Sequence, residues 1–249
     1  MRFKLIACEV LYRELCFCVA RSPHQIDIEF LPKGLHDIGC VGMLQRLQSA
    51  VDAVDASRYD VLLLGYGLCN NGIAGLRARS IPIVVPRAHD CMTLFFGAKE
   101  RYLAHFNANP GTYYLTTGWL ERGEATGELH QLSISSQTGI DMTYEQMVEK
   151  YGEDNAKFLF EQLGDPTKHY RHMTFIEMGI EPDDSFRAAA ERKAAERNLD
   201  FRMIRGDMRL IEQLVNGEWD RRDFLLVQPG ERVKVDYTEN IIAAERADE

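Results

Sequence analysis

The sequence contains 249 residues, of which 45% are hydrophobic and 27% charged, and its net charge at pH 7 is −9. This composition is ordinary for a soluble globular protein, and the length allows one large domain or two small ones. The acidic balance argues against a nucleic-acid surface, and no apolar stretch reaches the roughly 18 residues of a membrane span. Glu9 and Glu14 interrupt the first apolar run, unlike in a signal peptide. We therefore expect a cytoplasmic protein that binds neither nucleic acid nor membrane.

Short apolar runs along the chain predict eight β-strands. They span residues 2–8, 26–31, 60–66, 81–86, 112–118, 173–179, 200–204 and 223–228. Helical patterns occupy 41–54, 184–198 and 207–217, and we expect a peripheral helix or a frayed tail at 239–249. Strands that alternate with helices predict an α/β fold with a mostly parallel, doubly wound (Rossmann-like) sheet and helices on both faces.

The polar segment 121–141 divides this pattern. It predicts a loop or hinge between an α/β lobe at 1–120 and a smaller α/β C-terminal lobe at 142–249. The alternative is one continuous domain in which 121–141 is an insertion.

The six cysteines are distributed unevenly, because all of them fall within the first 91 residues. Disulfides are not expected in a reducing compartment, so metal binding, catalysis or packing must explain these thiols. Base rates favour packing for Cys16, Cys18 and Cys40, since cysteine is among the residue types most often buried.

The other three cysteines each follow a predicted strand. Cys8 ends the first strand, Cys69 follows the third and Cys91 follows the fourth. His36 comes after the second strand and His89 precedes Cys91. Because ligands of open α/β sheets bind beyond the carboxyl ends of the strands, we expect these side chains to converge at one edge.

Such convergence predicts a metal-thiolate site. Cys8, Cys69 and Cys91 would bind Zn²⁺ or an iron–sulfur cluster, with His89 or His36 as the fourth ligand or as an acid–base group. Arg87 is a further candidate for catalysis through an anionic substrate, although it could instead pair with Asp90.

The stretch "GYGLCNNG" at 65–72 surrounds Cys69. Its residues Gly65, Gly67, Asn70 and Gly72 are candidate cofactor-binding positions, because glycines let the backbone approach a ligand and expose amides to anionic groups. They could equally serve only a tight turn. The spacing matches neither a dinucleotide-binding nor a Walker sequence.

The segments "ACE" at 7–9, "GYGLCNNG" at 65–72, "RAHDC" at 87–91 and "PGTYYLTTGW" at 110–119 resemble the family known as domain of unknown function 1638. That family name carries no activity, but its members are often associated with corrinoid-dependent methyl metabolism. The resemblance implies a role near methyl or thiol chemistry, with a corrinoid protein or a methyltransferase as partner.

Two fainter resemblances concern the site. His89-Asp90-Cys91 is similar to the His-x-Cys pair of zinc methyltransferases that act on thiols, although the other thiols here precede the pair. Cys69-Asn70 resembles the Cys-Asn pair of cofactor-free amino-acid racemases, although the second half of this chain has no cysteine.

Three functions therefore compete. The first is a metal-dependent enzyme that transfers a methyl or thiol group of a small-molecule substrate. The second is a non-catalytic accessory protein that handles a metal or a corrinoid. The third is metal-free cysteine catalysis of the racemase type.

Overall fold

The computed structural model describes residues 1–122, 127–133, 136, 144–153, 155–157 and 170–247. Within them the chain is a mixed α/β protein whose central sheet has five strands, and all eight predicted strands are confirmed. The strands are β1 (Arg2–Cys8), β2 (Gln25–Leu31), β3 (Val61–Gly65), β4 (Ile83–Pro86), β5 (Thr112–Leu115), β6 (His172–Glu177), β7 (Asp200–Arg205), β8 (Phe224–Val227), β9 (Glu231–Val235) and β10 (Ile242–Arg246).

The central sheet has the order β2-β1-β3-β4-β8. Its first four strands are parallel and β8 pairs with β4 in the antiparallel direction, so the sheet is mostly parallel, as predicted. All five residues of β3 are buried, which explains why its sequence is a continuous apolar run. Parallel pairing brings the carboxyl ends of β1, β2, β3 and β4 to one edge.

A second sheet of three parallel strands has the order β5-β6-β7. It crosses the predicted boundary, because β5 precedes residue 121 but pairs with β6, which lies beyond residue 142. The central sheet crosses it too, since β8 comes from the C-terminal part of the chain. The two-lobe division at 121–141 stays a prediction, and residues 123–126, 134–135 and 137–141 of that segment lie outside the described part of the chain.

Helices alternate with strands along the described chain, as expected of an α/β fold. They are α1 (Tyr12–Val19), α2 (Gly39–Asp52), α3 (Cys91–Phe96), α4 (Lys99–Ala108), α5 (Thr117–Glu121), α6 (Gly127–Leu132), α7 (Tyr144–Tyr151), α8 (Ser185–Glu196) and α9 (Arg209–Asn216). The predicted C-terminal end of α9 is confirmed, with Gly217 closing it at a φ of 78°, whereas the helix begins at Arg209, two residues after the predicted start. No helix of the described residues is both long and apolar enough to cross a membrane.

The C-terminus corrects the sequence prediction. We expected a helix or a frayed tail at 239–249, but Ile242–Arg246 forms β10, which pairs antiparallel with β9. Ile242 is fully buried, and Val233 of β9, which pairs with Ala244, is 1% exposed. Burial of these side chains against the main core outweighs the helix propensity of the alanines that follow.

Candidate metal centre

Three cysteines and one histidine meet at the carboxyl edge of the central sheet. Cys8 is the last residue of β1, Cys69 lies in the loop after β3, and Cys91 is the first residue of α3, five positions after the end of β4. His36 ends a 3-10 turn, Lys33–His36, that follows β2. The register pairs Cys8 with Leu31 at the end of β2, and this pairing brings the turn that carries His36 beside Cys8.

Backbone hydrogen bonds continue beyond the paired strands and hold the Cys69 loop against the segment that leads to Cys91. The amide of Leu68 donates to the carbonyl of Ala88 at 2.8 Å, and the amide of Cys69 donates to the carbonyl of His89 at 2.9 Å. The chain then turns through Cys69, Asn70 and Asn71, whose φ angles are 46°, 54° and 64°. Three successive non-glycine residues in the left-handed region are uncommon and mark this loop as strained.

The donor atoms of these side chains are close together. The sulfur atoms of Cys69 and Cys91 are 3.9 Å apart, and the Cys8 sulfur lies 3.5 Å from Nε2 of His36. One donor atom each from His36, Cys69 and Cys91 lies within 4.8 Å of the other two. The predicted convergence of the three thiols with a histidine is therefore what the structure shows.

The spacing fits ligands of a single ion. Zn–S bonds of about 2.3 Å in a tetrahedron put two sulfur atoms about 3.8 Å apart. A Zn–N bond of about 2.0–2.1 Å puts nitrogen and sulfur about 3.6 Å apart. The observed distance of 3.9 Å between the Cys69 and Cys91 sulfur atoms is close to the first of these values, and the His36 donor lies within 4.8 Å of both.

Hydrogen bonds within the cluster, together with burial, shift the pKa values of its side chains. The hydrogen bond with Cys91 and burial raise the pKa of the Cys8 thiol well above its usual range. The hydrogen bond with Cys69 raises the pKa of Cys91 to about 11. Burial would lower the pKa of His36, but its hydrogen bonds with Cys8 and Cys91 outweigh that effect and raise it to about 11. Thiolates thus need a compensating positive charge here, which a protonated imidazole or a metal ion supplies.

Tyr66, between Gly65 and Gly67, is a site residue that the sequence analysis missed. Its side chain is fully buried, and its ring centroid is 6.1 Å from that of His36. Its hydroxyl has no hydrogen-bond partner within the part of the chain that the structure describes. Burial and the neighbouring cysteines Cys8, Cys91 and Cys69 raise the pKa of this hydroxyl well above its usual range, so it stays neutral. No motif of the sequence distinguishes this tyrosine from a core tyrosine.

A cavity of about 740 Å³ opens on the cluster. His36, Cys69 and Cys91 line it, whereas Cys8 is fully buried behind them and is not among the lining residues. The volume is in the range of small-molecule sites. Three potential ligands therefore face a space that a substrate could enter.

His89 and Arg87 are placed differently from the thiols. His89 is exposed and lines the cavity, and its backbone carbonyl rather than its imidazole holds Cys69. The group of mutually close donor atoms contains His36 and not His89. The Arg87 guanidinium donates to the backbone carbonyls of Arg221, Asn240 and Ile242, which ties the C-terminal hairpin to the end of β4. Catalytic roles for His89 and Arg87 stay predictions.

The glycines around Cys69 lie where close packing leaves no room for a larger side chain. A Cβ atom on Gly67 would lie 2.7 Å from the backbone of Asp90, and one on Gly65 would lie 2.5 Å from the Cβ of Ala7. A Cβ on Gly72 would collide with the sulfur of Met43. Asn70 is exposed at the mouth of the cavity. Close packing explains the three glycines, and cofactor binding by these four positions stays a prediction.

The remaining cysteines differ from the site thiols. Cys18 is 3% exposed within α1, and burial raises its pKa to about 12. Cys16 is partly buried on the same helix, and Cys40 is exposed on α2. Of these three, Cys16 and Cys18 pack as expected, whereas the exposed position of Cys40 differs from the predicted packing role.

The comparisons with known proteins identify a family but no activity. The family described as "Protein of unknown function (DUF1638)" matches residues 30–215. The match covers His36, Cys69 and Cys91 and begins after Cys8. No curated protein matches, and no solved structure matches. The chain belongs to the DUF1638 family, as its motifs predicted.

Proposed function

We propose that this protein is a metal-dependent enzyme that holds a single zinc ion through His36, Cys69 and Cys91. The observation that carries the proposal is the mutual distance of at most 4.8 Å among these three donor atoms, at the floor of an open cavity. Three protein ligands with one open position are the pattern of catalytic zinc, whereas structural zinc has four protein ligands. A bound zinc ion would lower the pKa of a coordinated thiol or water and so supply a nucleophile.

Cys8 contacts one of these three ligands, His36, without belonging to the set. Its sulfur contacts Nε2 of His36 at 3.5 Å, and it lies outside the group of three mutually close donors. Partners of this kind orient metal ligands, and their loss typically weakens metal affinity 10–100-fold without abolishing it. The close Cys69 and Cys91 sulfur atoms also favour zinc over a [4Fe–4S] cluster, because such a cluster binds each cysteine through a different iron atom and so separates the sulfur atoms more widely.

The thiols fit a metal site better than metal-free catalysis. A free nucleophilic cysteine needs a lowered pKa, and the pKa values of Cys8 and Cys91 are both raised. Metal coordination removes this obstacle, because it stabilises the thiolate directly. Transfer of a methyl or thiol group remains the reaction we propose, with a corrinoid protein or methyltransferase as the partner, a cytoplasmic location, and a doubly wound sheet as the scaffold.

Metal analysis of anaerobically purified protein tests the proposal. We expect about one equivalent of zinc per chain and no absorption band near 400 nm, which a thiolate-ligated cluster would give. Cys69→Ser should reduce zinc to a small fraction of an equivalent, while Cys8→Ser should keep zinc with 10–100-fold weaker affinity. Cys40→Ser is the matched control, because this cysteine is exposed on α2. Wild-type protein without zinc or iron would contradict the proposal.

Alkylation separates the metal site from reactive free cysteines. Iodoacetamide at neutral pH should modify Cys40 with or without a chelator, because this thiol is exposed. Cys69 and Cys91 should react only after a chelator has removed the metal, and peptide mapping distinguishes the three. Rapid modification of Cys91 in metal-loaded protein would support the metal-free alternative instead.

A further inference from the structure

A second cavity, of about 450 Å³, adjoins the one at the thiols. The two cavities share Asp90, Met92, Trp119 and Tyr170 among their lining residues. A ligand in the second cavity would therefore lie next to the proposed metal centre. The second cavity is not used by the metal ligands themselves, and its own lining indicates what it would bind.

Aromatic rings form most of that lining. They are Tyr102, Phe106, Tyr113, Tyr114, Trp119 and Tyr170. Several of these rings stand at steep angles to one another: Tyr113 and Tyr170 at 83° with centroids 5.3 Å apart, and Tyr102 and Tyr114 at 63° with centroids 6.0 Å apart. Rings that meet at such angles present faces in more than one direction, as in the aromatic sites that surround an organic cation.

The charged group in the lining of this cavity is acidic. Asp90 is the charged side chain among the described residues that line it. Its Oδ2 accepts a hydrogen bond from the Tyr102 hydroxyl at 2.9 Å, which fixes the carboxylate beside the rings. His105, which contacts Tyr114 at 2.8 Å, adds no positive charge near neutral pH, because burial lowers its pKa. An anionic ligand would find no compensating charge among these lining residues, whereas a cation would.

The protein already places cations on two of these rings. Lys33 Nζ lies 4.8 Å from the ring centroid of Trp119, and the Arg197 guanidinium lies 5.6 Å from that of Tyr113. These two rings are therefore poor positions for testing an external cation. Phe106 is a better one, because it is half exposed on α4 and its ring carries no hydrogen-bonding group.

We propose that the cavity formed by these aromatic residues and Asp90 binds a small organic ammonium ion, such as a methylated amine. The binding of this ammonium ion does not depend on the proposed zinc centre. Its role as the substrate of the enzyme does rest on that proposal. The aromatic faces would hold the cationic head, the Asp90 carboxylate would complement its charge, and the rest of the molecule would extend toward Cys69 and Cys91.

The test compares choline with its uncharged carbon analogue, 3,3-dimethylbutan-1-ol, by titration calorimetry and by saturation-transfer NMR. The two probes have nearly the same shape, so the difference between them isolates the charge. We expect choline to bind at least tenfold more tightly, as a partly desolvated cation–π contact implies. Equal affinities would show only an apolar cavity and would overturn the proposal. Failure of both probes to bind would overturn it as well.

Variants locate the binding. Phe106→Leu and Asp90→Asn should each weaken choline binding several-fold while leaving that of the neutral analogue nearly unchanged. Phe17→Leu is the matched control, because Phe17 is an exposed ring on α1 that does not line the cavity. Unchanged choline affinity in both cavity variants would overturn the proposal. Asparagine at position 90 keeps an acceptor for the backbone amide of Thr93 and so preserves the start of α3.

Zinc content measured on the same samples separates the two proposals. Choline binding by protein without zinc would leave the cation site standing and contradict the metal centre. Zinc-loaded protein that does not bind choline would overturn the cation site alone.

Discussion

Two pairs of cysteines in this protein differ in how their separation along the chain relates to the distance between their sulfur atoms. Cys16 and Cys18 are neighbours along α1, where one is partly and the other almost fully buried. Cys69 and Cys91 are 22 positions apart, yet their sulfur atoms are separated by 3.9 Å. Residues two apart on a helix point in different directions, whereas residues at the ends of adjacent parallel strands converge. The topology, rather than local spacing, thus decides which thiols can act together.

The largest expected effect follows from removal of the proposed zinc ion, which would involve Cys69 and Cys91 but not Cys16 and Cys18. Dialysis against a chelator should lower the free energy of unfolding by about 3 kcal/mol or more, because a ligand present at a hundred times its Kd stabilises the folded state by about 2.7 kcal/mol. Urea unfolding with and without chelator measures this change. Cys91→Ser, already deficient in metal, should show little response. If the chelator left the free energy of unfolding of the wild type unchanged, Cys69 and Cys91 would have no role that distinguishes them from the packed cysteines.

The next effect concerns a carboxylate on the helix of the packed pair. Glu14 is fully buried, and neither of its carboxylate oxygens has a hydrogen-bond partner among the described residues. Burial raises its pKa from 4.5 to about 7. The folded state therefore binds its proton more tightly than the unfolded state does, and the free energy of unfolding falls as the pH rises from about 4.5 to about 7. The total loss is about 3 kcal/mol.

Glu14→Gln tests this pH dependence. The variant should lose the decline between pH 5 and 7.5 and should be more stable than the wild type at pH 8, by up to about 3 kcal/mol. Denaturant unfolding at a series of pH values measures it, with Glu212→Gln, also on a helix, as the control. Parallel curves for the wild type and Glu14→Gln would show that another group causes the decline.

Tyr66→Phe gives a smaller effect at the site itself. A buried hydroxyl without a partner costs about 1–3 kcal/mol, so the variant should be more stable by that amount in metal-free protein. Thermal unfolding after chelation measures the gain. Tyr237→Phe, at a side chain that is 96% exposed, should change nothing. A loss of stability in Tyr66→Phe would mean that the hydroxyl has a partner, such as a bound water.

The smallest expected effect is at the packed pair. Cys18→Ala removes one buried sulfur atom and should cost about 1 kcal/mol through the lost contacts. Zinc content should stay at the wild-type level, in contrast to Cys69→Ser. If Cys18→Ala released the metal, the helix cysteines would belong to the site after all.

The strand pattern and the position of three thiols could be predicted from sequence for a physical reason. Buried parallel strands need continuous apolar runs, and those of β1, β3 and β4 are visible in the sequence. Once the strands are placed, the residues that follow them must share an edge. Cys8, Cys69 and Cys91 could therefore be grouped without any motif.

The choice between the two histidines could not be made in this way. His89 stands two residues before Cys91 and resembles a metal-ligand pair, but its side chain is exposed while Cys91 starts α3. His36 is far from each thiol along the chain, and it reaches Cys8 because of the parallel pairing of β1 with β2. The pairing register of β1 with β2, rather than sequence spacing, is the signal that identifies His36.

The second cavity and the C-terminal hairpin were missed for other reasons. The aromatic residues of the cavity come from α4, β5, α5 and the residues before β6, so no local pattern connects them. In the hairpin, "IIAAER" at 241–246 has the composition of a helix, and tertiary contacts decide its conformation. The alternation of Val233 and Val235 was the period-two signal that could have indicated a strand there.

The antiparallel strand β8 links the thiols to a late part of the chain. Four residues of β4 pair with β8, from Ile83 with Val227 to Pro86 with Phe224, and Cys91 follows only five positions later. During synthesis the four donor side chains leave the ribosome long before residue 227 does, so β4 spends that interval as an open sheet edge. Insertion of the proposed zinc ion into a finished site would then follow translation. A chain cleaved before β8 would contain His36, Cys69 and Cys91 but would lack the strand that pairs with β4.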